Sequence, residues 1–138
     1  MQIGLSAMGY PIRPQERSGS RRSPLGYADG LSRQLSNNGF ALVRGARVPI
    51  VGRVCMDQTM IDVTSLPDVK TGDEVAFFGR SGDERISLHE VASRMGSISY
   101  EVVCLIGKRV PRFYTSSDTI VTSPTHRDPS INTSAPNR

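Results

Sequence analysis

The chain has no tryptophan, only two histidines and two cysteines, and no apolar run long enough to span a bilayer. Each shortage removes a class of function. Proteins that read nucleic acid without helices stack bases on exposed aromatics, and four Phe and four Tyr offer little for that purpose. The 17 Lys and Arg outnumber the 13 Asp and Glu, but they are scattered with no basic block. That pattern favours solubility and an anionic ligand over a nucleic-acid surface. Cys55 and Cys104 lack a CxxC partner and sit in apolar runs, where free thiols are commonly buried, so neither a metal centre nor a disulfide framework is expected. His89 lies beside a helical apolar stripe and His126 in a polar tail, neither next to an acid or nucleophile. Phosphate-binding glycine loops and nucleophile elbows are missing too. The opening "MQIGLSAMGYPIRP" has no charged leader region and no membrane-length stretch, which makes the cytoplasm the default and a membrane partner unexpected.

Short β-prone runs fill the middle of the chain. "FALV" and "VPIVGRVCM" flank Gly45 as a hairpin; "QTMIDV" alternates Met60 and Asp62 against Ile61 and Val63; "EVAFFG" follows a loop marked by Pro67, Asp68, Gly72 and Asp73. "YEVVCLIG" and "RVPRFY" read as further strands, with Pro111 at an edge or a strand end. One short helix is expected where Ser87 and Glu90 form a capping box, Leu88, Val91, Ala92 and Met95 share a face, and Gly96 closes the last turn. The predicted fold is mainly β, a small antiparallel barrel-like domain with one short helix. "QERSGSRRS", from Gln15 to Ser23, shows neither period and reads as a linker or frayed segment. After Tyr114 the chain is rich in Ser, Thr, Pro and Asn and too poor in large apolar residues to offset the entropy of ordering it. The expected organisation is a divergent, partly ordered segment over 1–23, a β-domain over 24–114 and a disordered polar tail over 115–138.

Three polar clusters sit at strand–bend junctions: "GYADGLSR", "GRVCMDQ", and "SYEVVC" with "KRVPR". Backbone N–H groups at such bends can face a ligand. Ordinary structural explanations exist for each. Asp29-Gly30 is a common turn pair, Tyr27 can be a packed ring, and Asp57 can pair with Arg53 at a strand end.

Together and in order, "GYADG", "PIVGRVCMDQTMIDVT", "GDEVAFFG", "ISLHEVA", "SYEVVC" and "RVPRFY" resemble the C-terminal β-domain of alanine racemase. That family interconverts L- and D-alanine and so supplies D-alanine for the cell wall. The resemblance implies a two-domain subunit in which an N-terminal α/β barrel carries pyridoxal 5'-phosphate on a lysine. The β-domain of the partner subunit then closes the site. It further implies that the Met56 N–H meets the substrate carboxylate with Asp57 beside it, and that Tyr27 and Tyr100 narrow the entrance. Tyr100 also matches the residue lying against the cofactor and its phosphate, and Arg33 and Arg53 match charged residues further out.

The family's catalysis uses a lysine and a tyrosine as bases on opposite faces of the substrate carbon. Neither carries over. The barrel that holds the lysine needs about 250 residues by itself. Met8 stands where the family has its tyrosine, and a thioether has no titratable group. Tyr10 could serve only after a register shift. "RSGSRRSPL" also replaces an apolar strand. The sequence therefore predicts a truncated or stand-alone copy of the β-domain, inactive alone, that acts as a homodimer or with a separate barrel chain on an alanine-type amino acid. The alternative is a non-catalytic binding or dimerisation module, or a decayed gene fragment.

Overall fold

The computed structural model describes residues 5–6, 13–14, 19–116 and 119–122. It contains β1 (Leu5–Ser6), β2 (Arg13–Pro14), β3 (Ser20–Ser23), β4 (Phe40–Val43), β5 (Ala46–Pro49), β6 (Thr59–Asp62), β7 (Val75–Ser81) and β8 (Glu84–Ile86). Then follow α1 (Leu88–Met95), α2 (Ser99–Cys104), β9 (Phe113–Ser116) and β10 (Thr119–Thr122). The chain separates into two compact units, with the boundary after Arg109.

Within the larger unit every strand pairing is antiparallel. β4 lies between β5 and β7, while β6 pairs with β3, which pairs with β2. An Ile50–Ile61 bridge and the bond from Val51 N–H to Met60 O (2.9 Å) join these two sheets. The strand path thus runs continuously from β2 through β6 and β5 to β7, in keeping with the expected mainly β, barrel-like class. The β4–β5 turn uses Arg44 (φ 52°) and Gly45 (φ 76°), the left-handed pair that matches the twist of a two-residue hairpin. β6 alternates as expected, with Thr59 and Ile61 buried and Met60 and Asp62 half-buried. Leu42, Val43, Val48, Ile61 and Phe77 are fully enclosed and form the core.

α1 starts as its sequence demands. Ser87 Oγ accepts the Glu90 N–H (3.1 Å), and Gly96 at φ 67° ends the helix. Val91 and Ala92 face the core. Glu90 bonds Arg47 (2.5 Å) and Arg94 (3.4 Å), whose guanidinium carbons lie 5.5 and 4.7 Å from the Phe40 ring centre, which ties α1 to the β4–β5 hairpin.

The structure departs from the sequence reading in five places. "SYEVVC", read as a strand, is the short helix α2. Its apolar run is too short to separate strand from helix by period, and only Val102 is buried, as suits one face of a two-turn helix. The segment read as a linker contributes β3, because its backbone pairs with β6 from Ser20↔Asp62 to Ser23↔Thr59 whatever its side chains. Cys55 and Cys104 are both exposed, one on a bend and the other on the outer face of α2. A strand not anticipated, β8, folds back on β7. In the second unit β9 pairs with β10, so Thr119–Thr122, inside the stretch expected to lack structure, forms a hairpin strand. Residues 123–138 lie outside the described residues. Among the described residues no helix is long and apolar enough to cross a membrane.

Candidate functional site

The bend at residues 55–58 is built against the loop that begins at Gly26. Thr59 Oγ1, fully buried on β6, donates to Leu25 O (2.6 Å) and fixes the chain as it enters the loop. Tyr27–Asp29 then forms a single 3-10 turn. Its Tyr27 N–H donates to Cys55 O (2.9 Å) and its Ala28 N–H to Met56 O (3.1 Å). A side-chain carbon on Gly26 would lie 2.2 Å from Cys55 O and 2.5 Å from Met56 O, so only glycine permits this approach. Cys55 N–H closes the bend on Gln58 O (2.9 Å).

The consequence is directional. The Cys55 and Met56 carbonyls are taken up by the 26–29 loop, and the N–H groups of Met56 and Asp57 have no acceptor among the described residues. Met56 itself is 51% exposed. Two adjacent free peptide donors on an exposed bend can take an anion and require no particular side chain.

A third segment completes the site. Gly107 N–H donates to Asp29 O (3.1 Å), and Gly30, at φ 110°, packs so closely on Leu105 and Ile106 that a side-chain carbon would meet Leu105 O at 2.4 Å. Asp29 is 7% exposed and its Oδ2 accepts the Gly26 N–H (2.9 Å). Arg109 lies between the two acids, with Nε 3.4 Å from Asp29 Oδ1 and Nη2 2.6 Å from Asp57 Oδ1.

Of the residues singled out in the sequence, Tyr27, Met56 and Asp57 are brought together. Asp57 pairs with Arg109 rather than with Arg53, which is exposed on the same bend. Arg33 is exposed in the next 3-10 turn, Arg33–Leu35, whose preceding Ser32 caps Gln34 N–H (3.2 Å). Tyr100 stands 81% exposed on the outer face of α2, opposite the buried Val102. Met8 and Tyr10 lie outside the described residues. Sequence reading missed Asp29 and Arg109 as a linked pair; the signal present was an acid three residues after Gly26, the spacing of a local cap.

Pyridoxal phosphate requires a lysine amine and a phosphate cradle. The chain's two lysines, Lys70 and Lys108, are both exposed. A shallow depression lined by Asn38, Glu90, Ser93 and Arg94 holds no lysine, and its Arg94 is bonded to Asn38 O (2.9 Å) and to Glu90. The described residues of this chain alone therefore do not fit the cofactor.

The domain is thus a mainly β, barrel-like unit with an exposed bend whose peptide donors can take an anion. Its relatives are specific. The family described as "Alanine racemase, C-terminal domain" matches residues 15–114, a range that includes the segment read as a damaged strand. The alanine racemase of Halothermothrix orenii is 57% identical over 91 residues, which is 66% of this chain and 24% of the relative. That of Methanococcus maripaludis is 49% identical over 106 residues, covering 77% of this chain and 28% of the relative. Among solved structures, Clostridium difficile 630 alanine racemase in complex with cycloserine superposes with a TM-score of 0.74 at 34% identity, over 86% of this chain and 31% of that one. The Bacillus anthracis enzyme with bound L-Ala-P gives 0.73 at 37% identity, over 86% and 34%. The chain belongs to the alanine racemase C-terminal domain family. It spans about a quarter of the length of the curated relatives it matches.

Proposed function

We propose that this chain is the closing wall of an alanine racemase active site, that it binds the carboxylate of an alanine-type substrate, and that it is catalytically silent alone. The observation that carries this reading is the free Met56 N–H on a bend whose carbonyls are taken up by the Tyr27 and Ala28 N–H groups. Peptide dipoles held this way are pre-oriented, so binding an anion requires no further reorganisation. Asp57 flanks the donors, and Tyr27 and Tyr100 narrow the approach. Arg33 and Arg53 add positive potential along it.

Proton transfer at the α-carbon needs an acid or base, and the wall offers a thioether at Met8 where the family has a phenol. The lysine and pyridoxal phosphate would come from a barrel domain in the cytoplasm that meets this wall.

A purified chain incubated with pyridoxal phosphate and then freed of unbound cofactor by gel filtration should retain no protein-bound absorbance band, and in the presence of alanine and cofactor it should exchange the α-hydrogen with deuterated solvent no faster than a protein-free blank. Fused behind the N-terminal part of the H. orenii relative in place of that protein's own C-terminal domain, and carrying Met8→Tyr, it should support turnover. Turnover by the chain alone, or a folded Met8→Tyr fusion without turnover, would overturn the reading.

One observation favours the second reading, a non-catalytic dimerisation module. Tyr27, Met56, Tyr100 and Leu105 are 46, 51, 81 and 41% exposed, an unusual set of large apolar side chains to leave in water. Sedimentation of the chain alone separates the two: a tight homodimer without a barrel partner belongs to the second.

A further inference from the structure

We infer that Arg109 is the positioning residue of the carboxylate-facing bend, through a guanidinium clamp on Asp29 and Asp57. The inference rests on the reading of Met56 and Asp57 as the anion-binding bend, and it adds what holds that bend in register.

Arg109 joins parts of the chain that are remote in sequence. Asp29 is the fixed end: nearly enclosed, its side chain accepts the Gly26 N–H and its carbonyl accepts the Gly107 N–H. Asp57 is the exposed end, with half its side chain in water, and it directly follows Met56. Arg109 reaches the first with Nε and the second with Nη2, two directions of one planar fork. A lysine ammonium on a flexible stem cannot hold both separations with the same rigidity.

Position and charge both follow. The clamp ties the outer limb of the bend to the loop that already holds its carbonyls, so the Met56 and Asp57 N–H groups keep one direction. It also pairs the Asp57 carboxylate, which would otherwise stand as an uncompensated negative charge beside the donors and repel an incoming anion. Because Arg109 is 55% exposed in its side chain, the pair contributes little to global stability, and its loss should be felt locally.

The test uses the full 138-residue chain labelled with 15N, with sodium acetate as the carboxylate probe and amide exchange as an independent measure. In the unaltered chain acetate should shift the Met56 and Asp57 amides saturably. Arg109→Ala should weaken that response about tenfold and speed exchange of the Tyr27 and Ala28 amides by about tenfold, while the core amides of Val43 and Phe77 keep their protection. Arg109→Lys should recover only part of both effects. Unchanged exchange at Tyr27 and Ala28 together with unchanged acetate response would overturn the proposal. So would complete recovery in Arg109→Ala/Asp57→Asn, which would reduce the role of Arg109 to charge alone. If acetate leaves the unaltered chain untouched, the carboxylate reading fails, and the exchange comparison alone decides the clamp.

Discussion

Ser23 is fully enclosed, and its hydroxyl has no hydrogen-bond partner among the described residues. Its cross-strand neighbour Thr59 is equally enclosed but donates to Leu25 O at 2.6 Å, so the two buried hydroxyls differ in satisfaction. Burying a hydroxyl without a bond costs about 1–3 kcal/mol on the scale of protein substitutions. Ser23→Ala removes that cost and leaves a void the size of one oxygen, worth a few tenths of a kcal/mol in lost contacts. The net expectation is a gain of about 1–2 kcal/mol, which for a domain near a hundred residues raises the Tm by roughly 4 °C or more. Urea unfolding of the full chain reads it as a higher midpoint at unchanged slope. A lower midpoint for Ser23→Ala would mean that the hydroxyl is bonded, and the account of β3 as a strand carrying a polar residue at an apolar position would fail.

Gly26→Ala should destabilise the domain by about 3 kcal/mol or more, since its new carbon meets the Cys55 carbonyl at 2.2 Å; loss of cooperative thermal unfolding reads this. Met56→Ala should leave the acetate response within about twofold, because the donor is the peptide and not the thioether; a loss of about tenfold would return the role to the side chain. Ser87→Ala should cost about 1 kcal/mol through the lost cap on Glu90 N–H, seen as a lower urea midpoint. Asp62 is held below the ordinary carboxylate range by the Thr64 hydroxyl and then the Thr64 N–H. A lowered folded value stabilises above the unfolded value and is lost as pH falls through the folded one, so Asp62→Asn should flatten the acid limb of a stability–pH profile.

Where a local rule was strong, the sequence was legible. Ser87, Glu90 and Gly96 define α1 by caps, Gly45 defines a hairpin by its φ, and Thr59 to Val63 alternate because one face of β6 is buried. Legibility failed where tertiary pairing overrode composition. β3 exists because β6 offers it a ladder, although Ser20, Arg21 and Arg22 carry no strand signal. α2 was hidden because Val102 and Val103 raise strand propensity while its single buried position leaves no helical stripe to count. The site divided in the same way. Met56 and Asp57 came from a pattern of motifs, whereas the Asp29–Arg109–Asp57 link spans the chain from residue 29 to 109 and has no local signature.

On the proposed reading the groups offered to a ligand are backbone N–H groups, and every residue except proline supplies one, so the side chain at position 56 is under little chemical demand. What cannot vary freely is whatever sets the direction of those groups. Gly26 does so by having no side chain, Thr59 by fixing Leu25, and Asp29 with Arg109 by tying the outer limb of the bend down. Chemistry carried by a side chain is different in kind. On the proposed reading, a methionine at position 8 removes a proton-transferring group outright, and no arrangement of peptides can replace it. That reading makes binding and turnover separable properties of the same fold, the first carried by peptide groups and the second by a side chain.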